Sequence, residues 1–152
     1  LDVSEHWKVY LPVLLLAFFC MIYPIKNSEK TKKQRNVFLL SILLLILAIT
    51  LIRGSTESFL VLNFSLFFYF LGFNLLEAFL PSWVSKVVSA EKKGFFLGLY
   101  NTCQALGIFT GGIFGGYLYG KYGIHGIIIG CLIPLCLWLI ISLKLRDLSV
   151  PR

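Results

Sequence analysis

Few residues in this chain are equipped for chemistry, and most of them stand in or beside one apolar stretch. The segment FNLLEAFLPS (73–82) holds a carboxylate, Glu77, with Asn74 about one turn before it and Pro81 about one turn after. At about 100° per residue, Asn63, Asn74, Glu77 and Pro81 project within roughly 60° of one another, a single polar stripe on a helix. Farther on, Asn101 and Gln104 interrupt a second apolar run. A carboxylate beside amides can accept hydrogen bonds or exchange a proton, and in an apolar setting it is costly unless paired, protonated or wetted. Three roles are open to Glu77. It can be a latch, held by hydrogen bonds from the start of the next segment or by the Lys92–Lys93 loop. It can be a proton-coupling or substrate-facing group, or an acid near the interface that snorkels to water. Other chemistries lack their parts. His6 and His125, expected in external loops, have no acid or serine arranged for catalysis. Cys20, Cys103, Cys131 and Cys136 all fall within apolar runs without metal spacing, and are expected to be buried as small hydrophobes. No metal or cofactor is expected. An intramembrane enzyme needs paired groups at depth, and Glu77 is alone there, so the reading is not an enzyme.

The elements that must position these residues follow from composition. Hydrophobic residues make up 58% of the chain and charged ones 14%, with a mean hydropathy of +0.85. Soluble domains are about half apolar and about a quarter charged, so this is a membrane protein. Five apolar runs stand out, at 9–25, 37–52, 59–83, 95–119 and 124–143. Each approaches the roughly 20 residues with which a helix crosses hydrocarbon. The runs lack the alternation of barrel strands, so the expected fold is all-α with five transmembrane helices. Pro81 should kink or end the third helix just beyond Glu77. Glu77 lies about 13 Å along that helix from Lys86, within the membrane but toward one face. The fourth run carries two tracks of small residues, Gly107–Gly111–Gly115 and Gly112–Gly116–Gly120. Such spacing lets another backbone approach closely, either as static packing or as a sliding interface. Trp7, Trp83 and the tyrosines of 117–122 sit where an aromatic belt would be.

The net charge of +7 is unevenly spread. A loop expected at 26–35, KNSEKTKKQR, holds Glu29 among Lys26, Lys30, Lys32, Lys33 and Arg35. With Lys86, Lys92, Lys93, Lys144, Arg146 and Arg152, these put eleven of the fourteen basic residues on one side of the membrane. Lys8, Arg53 and Lys121 take the other side. This asymmetry places the basic side in the cytoplasm, with the N-terminus outside and the C-terminus inside. It also identifies the bilayer, and not nucleic acid, as the partner of the positive charge. An odd helix count, an external N-terminus and no initiating Met or basic leader suggest a fragment of a longer chain.

The block FNLLEAFLPSWVSKVVSAEKKGFFLGLYNTCQALGIFTGGIFGGYLYGKYG (73–123) resembles the tenth and eleventh helices of major facilitator superfamily transporters. It is most similar to the YajR-like group of proton-driven, drug-efflux-type carriers of the bacterial inner membrane. The shared features are an acid-A-x-L-P-S turn at Glu77–Ser82, a basic loop ending in K-G at Lys93–Gly94 and G-x-Y at Gly98–Tyr100. Gln104 and the paired glycines Gly111–Gly112 and Gly115–Gly116 follow. WKVYLPVLLL (7–16) looks like the entry to the eighth helix, and EKTKKQRNVF (29–38) like the basic loop after it. The resemblance covers nearly the whole chain and implies helices eight to twelve, part of the C-terminal half of a twelve-helix fold. The missing N-terminal half would be a partner. A multi-pass inner-membrane location and a secondary transporter working by alternating access are implied too, with a small-molecule substrate and protons as further partners. The implied proton-coupling or gating residues are Glu77, Asn74, Asn101 and Gln104. Glu29, Lys30, Lys33 and Arg35 would form a cytoplasmic cluster, and Gly107, Gly111, Gly112, Gly115 and Gly116 would pack helices. Set against the family's pattern, the stretch 29–38 lacks the signature glycine, and the signature loop of the N-terminal half and the cytoplasmic domain of some YajR-like members are not expected within residues 1–152. A non-transporting accessory or assembly protein, or an inactive truncated transporter, is the alternative.

Overall fold

A computed structural model describes residues 7–31, 34–53 and 58–144. Four helices account for nearly all of them: α1 (Trp7–Thr31), α2 (Gln34–Ile52), α3 (Phe59–Val87) and α4 (Lys93–Leu143), with a 3-10 turn at Ala90–Lys92 before the last. All four are long and apolar enough to cross a membrane. Hydrocarbon offers no partners to exposed backbone groups, so runs of this kind satisfy their own N–H and C=O groups as helices.

α2 and α3 form an antiparallel pair at the centre of the bundle, and α1 packs on α3. Small residues set the register of the pair. The Ser65 hydroxyl, fully buried, donates to the Ala48 carbonyl at 2.8 Å. Seven residues along each helix, Gly72 lies against Ser41, and a Cβ at Gly72 would stand 2.8 Å from the Ser41 carbonyl oxygen and 3.2 Å from Leu44 and Leu45. At the far end of the seam, the Trp83 indole N–H donates to Gln34 Oε1 at 3.0 Å. Phe38, Ile42, Leu45 and Leu76 make the core, with Trp83, Leu135 and Trp138 packed on it.

α4 is broken inside. Gly123 has φ 63° and ψ −153°, a region closed to side chains, and it separates a leading arm (93–122) from a trailing arm (124–143). The arms fold back on each other: a Cβ at Gly126 would meet the Leu118 carbonyl oxygen at 2.7 Å, and Gly130 also lies against Leu118. The trailing arm thereby returns to the start of α2. There Arg35 Nη2 donates to the Leu143 carbonyl at 2.7 Å, and the Phe38 and Trp138 rings meet edge to face at 5.5 Å. The end of α3, the start of α2 and both ends of α4 therefore share one end of the bundle, with Arg35, Lys86, Lys92, Lys93 and Lys144. Lys8, Arg53 and Lys121 belong to the opposite end.

Several expectations are corrected. The stretch 26–35 is not an open loop, because α1 continues to Thr31 and α2 begins at Gln34; charged residues at a helix end reach water without unwinding it. Pro81 does not end α3, which runs on to Val87. The proline removes one hydrogen bond, to the Glu77 carbonyl, and the packed turns on either side hold the helix. The four cysteines are free and exposed on this bundle, on faces turned away from the core. His125 stands in helix just after the Gly123 break, not in a loop. Trp83 is half-buried among helices, not part of a belt. The apolar runs 95–119 and 124–143 follow one another in α4 with no loop between them, only the break at Gly123. His6 lies outside the described residues.

Gly72→Ala is expected to destabilise the α2–α3 seam by about 1–3 kcal/mol, since the new methyl meets backbone and not a yielding side-chain tip. Gly111→Ala, with open space around it, should stay within about 0.5 kcal/mol of the parent. Thermal unfolding of the chain in detergent compares the two.

Candidate functional site

The polar stripe of α3 faces the side that α1 and α2 leave open. Gly72, Leu76 and Trp83 point to α2, which turns Glu77 toward α4. There the Gln104 amide donates to Glu77 Oε1 at 2.7 Å, a half-buried contact between residues 27 apart in sequence. The distance is at the short end of the range for an N–H···O hydrogen bond. Gln104 reaches it because α3 and the leading arm of α4 run antiparallel through the tight turn at 88–92, and the two residues lie about equally far from that turn. Tyr100, one turn before Gln104, stands within electrostatic range of the same carboxylate.

The other residues singled out from the sequence are placed as follows. Asn74 is half-buried one turn before Glu77. Asn63 satisfies its amide locally on the Phe59 carbonyl at 2.9 Å and does not join the pair. Asn101 is exposed on α4, about one turn from Gln104. Glu29 and Lys30 fall in the last turn of α1, and Lys33 lies outside the described residues. Arg35 caps the carboxyl end of α4 through Leu143, where the helix dipole favours a cation. A Cβ added at Gly107, Gly111, Gly112, Gly115 or Gly116 would meet no atom within 4 Å among the described residues. The close approaches occur instead at Gly72, Gly126 and Gly130. Tyr100 was legible through its four-residue spacing from Gln104, which puts both on one helix face. Beside the pair, Leu80, Trp83, Val84, Val87, Val88 and Phe96 line an apolar crevice of about 370 Å³ between α3 and the start of α4.

The profile of the Major Facilitator Superfamily matches residues 10–152. The chain belongs to this superfamily. It is 33% identical over 144 residues to the inner membrane transport protein YajR of Escherichia coli (strain K12), a match covering 95% of this chain and 32% of that protein. An uncharacterized transporter of Buchnera aphidicola subsp. Acyrthosiphon pisum is 34% identical over 110 residues, covering 72% of this chain and 28% of that protein. Another from Buchnera aphidicola subsp. Baizongia pistaciae is 28% identical over 138 residues, covering 89% and 34%. The chain thus spans about a third of the length of the curated relatives it matches. No solved structure matches it. In this major facilitator chain, Glu77 and Gln104 are a polar bridge between two membrane helices.

Gln104→Leu is expected to cost about 1–3 kcal/mol, because it strands a half-buried acceptor, while the double change Glu77→Leu with Gln104→Leu recovers most of the loss. A double-mutant cycle of thermal unfolding in detergent measures the coupling.

Proposed function

We propose that the chain forms helices eight to twelve of a secondary active transporter, crossing the membrane five times with the two arms of α4 as separate crossings. Its basic end faces the cytoplasm and its N-terminus lies outside, in a bacterial inner membrane. The whole transporter exports small solutes or drugs in exchange for protons by alternating access, with the remaining helices supplying the other wall of the pathway. The observation that carries this reading is the Glu77–Gln104 hydrogen bond in a major facilitator chain.

The bond gives a physical link between proton and conformation. Ionised, Glu77 accepts a charge-assisted hydrogen bond from the Gln104 amide and holds α3 to the leading arm of α4. Protonated, it loses the charge that strengthens the bond, and the contact weakens. A proton arriving at Glu77 thereby favours separation of the two helices, and its release favours their closure. Asn74 and Asn101, each about one turn from a member of the pair, provide polar neighbours along which water or a substrate group reaches the carboxyl. The basic residues at the same end of the bundle set its orientation.

Glu77→Gln keeps a hydrogen-bonding group but cannot exchange a proton in the working range. In proteoliposomes holding the chain together with the helices that complete the fold, this change is expected to lower proton-driven transport about tenfold or more, equivalent to about 1.4 kcal/mol. It should also flatten the dependence on pH. Transport unchanged in rate and pH profile would reduce Glu77 to a packing residue.

A further inference from the structure

At the basic end of the bundle, α1 and α3 leave between them a cavity of about 80 Å³ that takes no part in the Glu77 contact. Ile25, Ala78 and Phe79 supply its apolar wall, and Ser82 and Lys86 its polar edge. Lys86 is exposed, as is Lys26, the residue after Ile25. Because α1 and α3 run in the same direction, both lysines belong to the basic end of the bundle, where long cationic side chains reach the headgroup region. A recess that is apolar below and cationic above has the polarity of a phospholipid. Zwitterionic lipids carry their own ammonium beside the phosphate, so two lysines favour a lipid with net negative charge. Basic pockets between membrane helices on this side have the chemistry that binds anionic headgroups.

We infer that the cavity between α1 and α3 seats an anionic phospholipid, its phosphate against Lys86 with Lys26 beside it and the upper part of one acyl chain against Ile25, Ala78 and Phe79. The site lies on a different face of α3 from Glu77. It requires the chain to be in a membrane, but it does not require the transport mechanism proposed above.

Native mass spectrometry of the full chain in detergent tests the site, with phosphatidylglycerol and phosphatidylcholine offered in equal amounts. Phosphatidylglycerol should be retained preferentially, and Lys86→Gln should lower its retention about fivefold, as expected for one cation at a headgroup. Ala78→Leu, on an exposed position, should fill the recess and also release lipid. Ser82→Leu does the same should Ala78→Leu disturb folding, which circular dichroism checks. Lys144→Gln removes the same charge away from the cavity and should leave retention unchanged. Equal losses from Lys86→Gln and Lys144→Gln would mean diffuse attraction and overturn the site. So would equal retention of the two lipids, undiminished binding in both cavity-filling variants, or displacement by millimolar glycerol phosphate, which lacks an acyl chain. None of these outcomes bears on the pH dependence of transport, so the two readings fail separately.

Discussion

Gly123 is where the chain turns back, and the contacts that the end of α4 makes with α2 depend on that turn. Its backbone, at φ 63° and ψ −153°, lies where a Cβ clashes, so the position is reserved for glycine. A helix continued straight from Lys93 to Leu143 would be about 76 Å long, far beyond a bilayer. The break makes two arms of about 45 and 30 Å, each long enough to cross the hydrocarbon layer. Gly126 and Gly130 then let the arms close on Leu118. Arg35 finds the Leu143 carbonyl, and Trp138 finds Phe38, only because the second arm comes home.

α3 is joined to its two antiparallel neighbours in different ways. Toward α2 it is close-packed: Ser65 and Gly72 admit the backbone of α2, and bulky residues fill the space between. Dispersion and burial act along that whole seam. Toward the leading arm of α4 it relies on a polar bridge, flanked by an open apolar crevice. Packed seams respond to volume and hardly at all to protonation. A carboxylate–amide bridge responds to protonation directly. The polar bridge and the close-packed seam therefore sit on different faces of one helix.

Most of the helical fold was legible, because the bilayer imposes a length and an apolarity that composition reports directly. Glu77 and Gln104 were both legible as polar residues in apolar runs, but their pairing was not. It depends on the turn at 88–92, which sets the antiparallel register of α3 and α4. The glycines show the limit most clearly. Four-residue repeats in 107–120 state that close approach is permitted, yet the described chain brings nothing to them. Like Gly126 and Gly130, Gly72 is closely packed, and it lacks such a repeat. Its signal lay across two segments: Ser41 and Ala48 are seven apart, as are Ser65 and Gly72, and only their pairing reveals a seam. The charged stretch after residue 25 misled for a simpler reason. Polarity marks where a helix leaves hydrocarbon, not where it stops being a helix, and α1 carries on to Thr31.

Tryptophan placement gives the bundle a built-in optical reporter. Trp83 and Trp138 both lie against Phe38, with ring centroids 5.0 and 5.5 Å away, while Trp7 is 60% exposed at the other end. The three indoles thus sample two environments. The emission of the clustered pair reads the junction where α2, α3 and the end of α4 meet. Quenching by lipids brominated along the chain would distinguish that junction from the exposed indole, so its opening can be followed without adding a label.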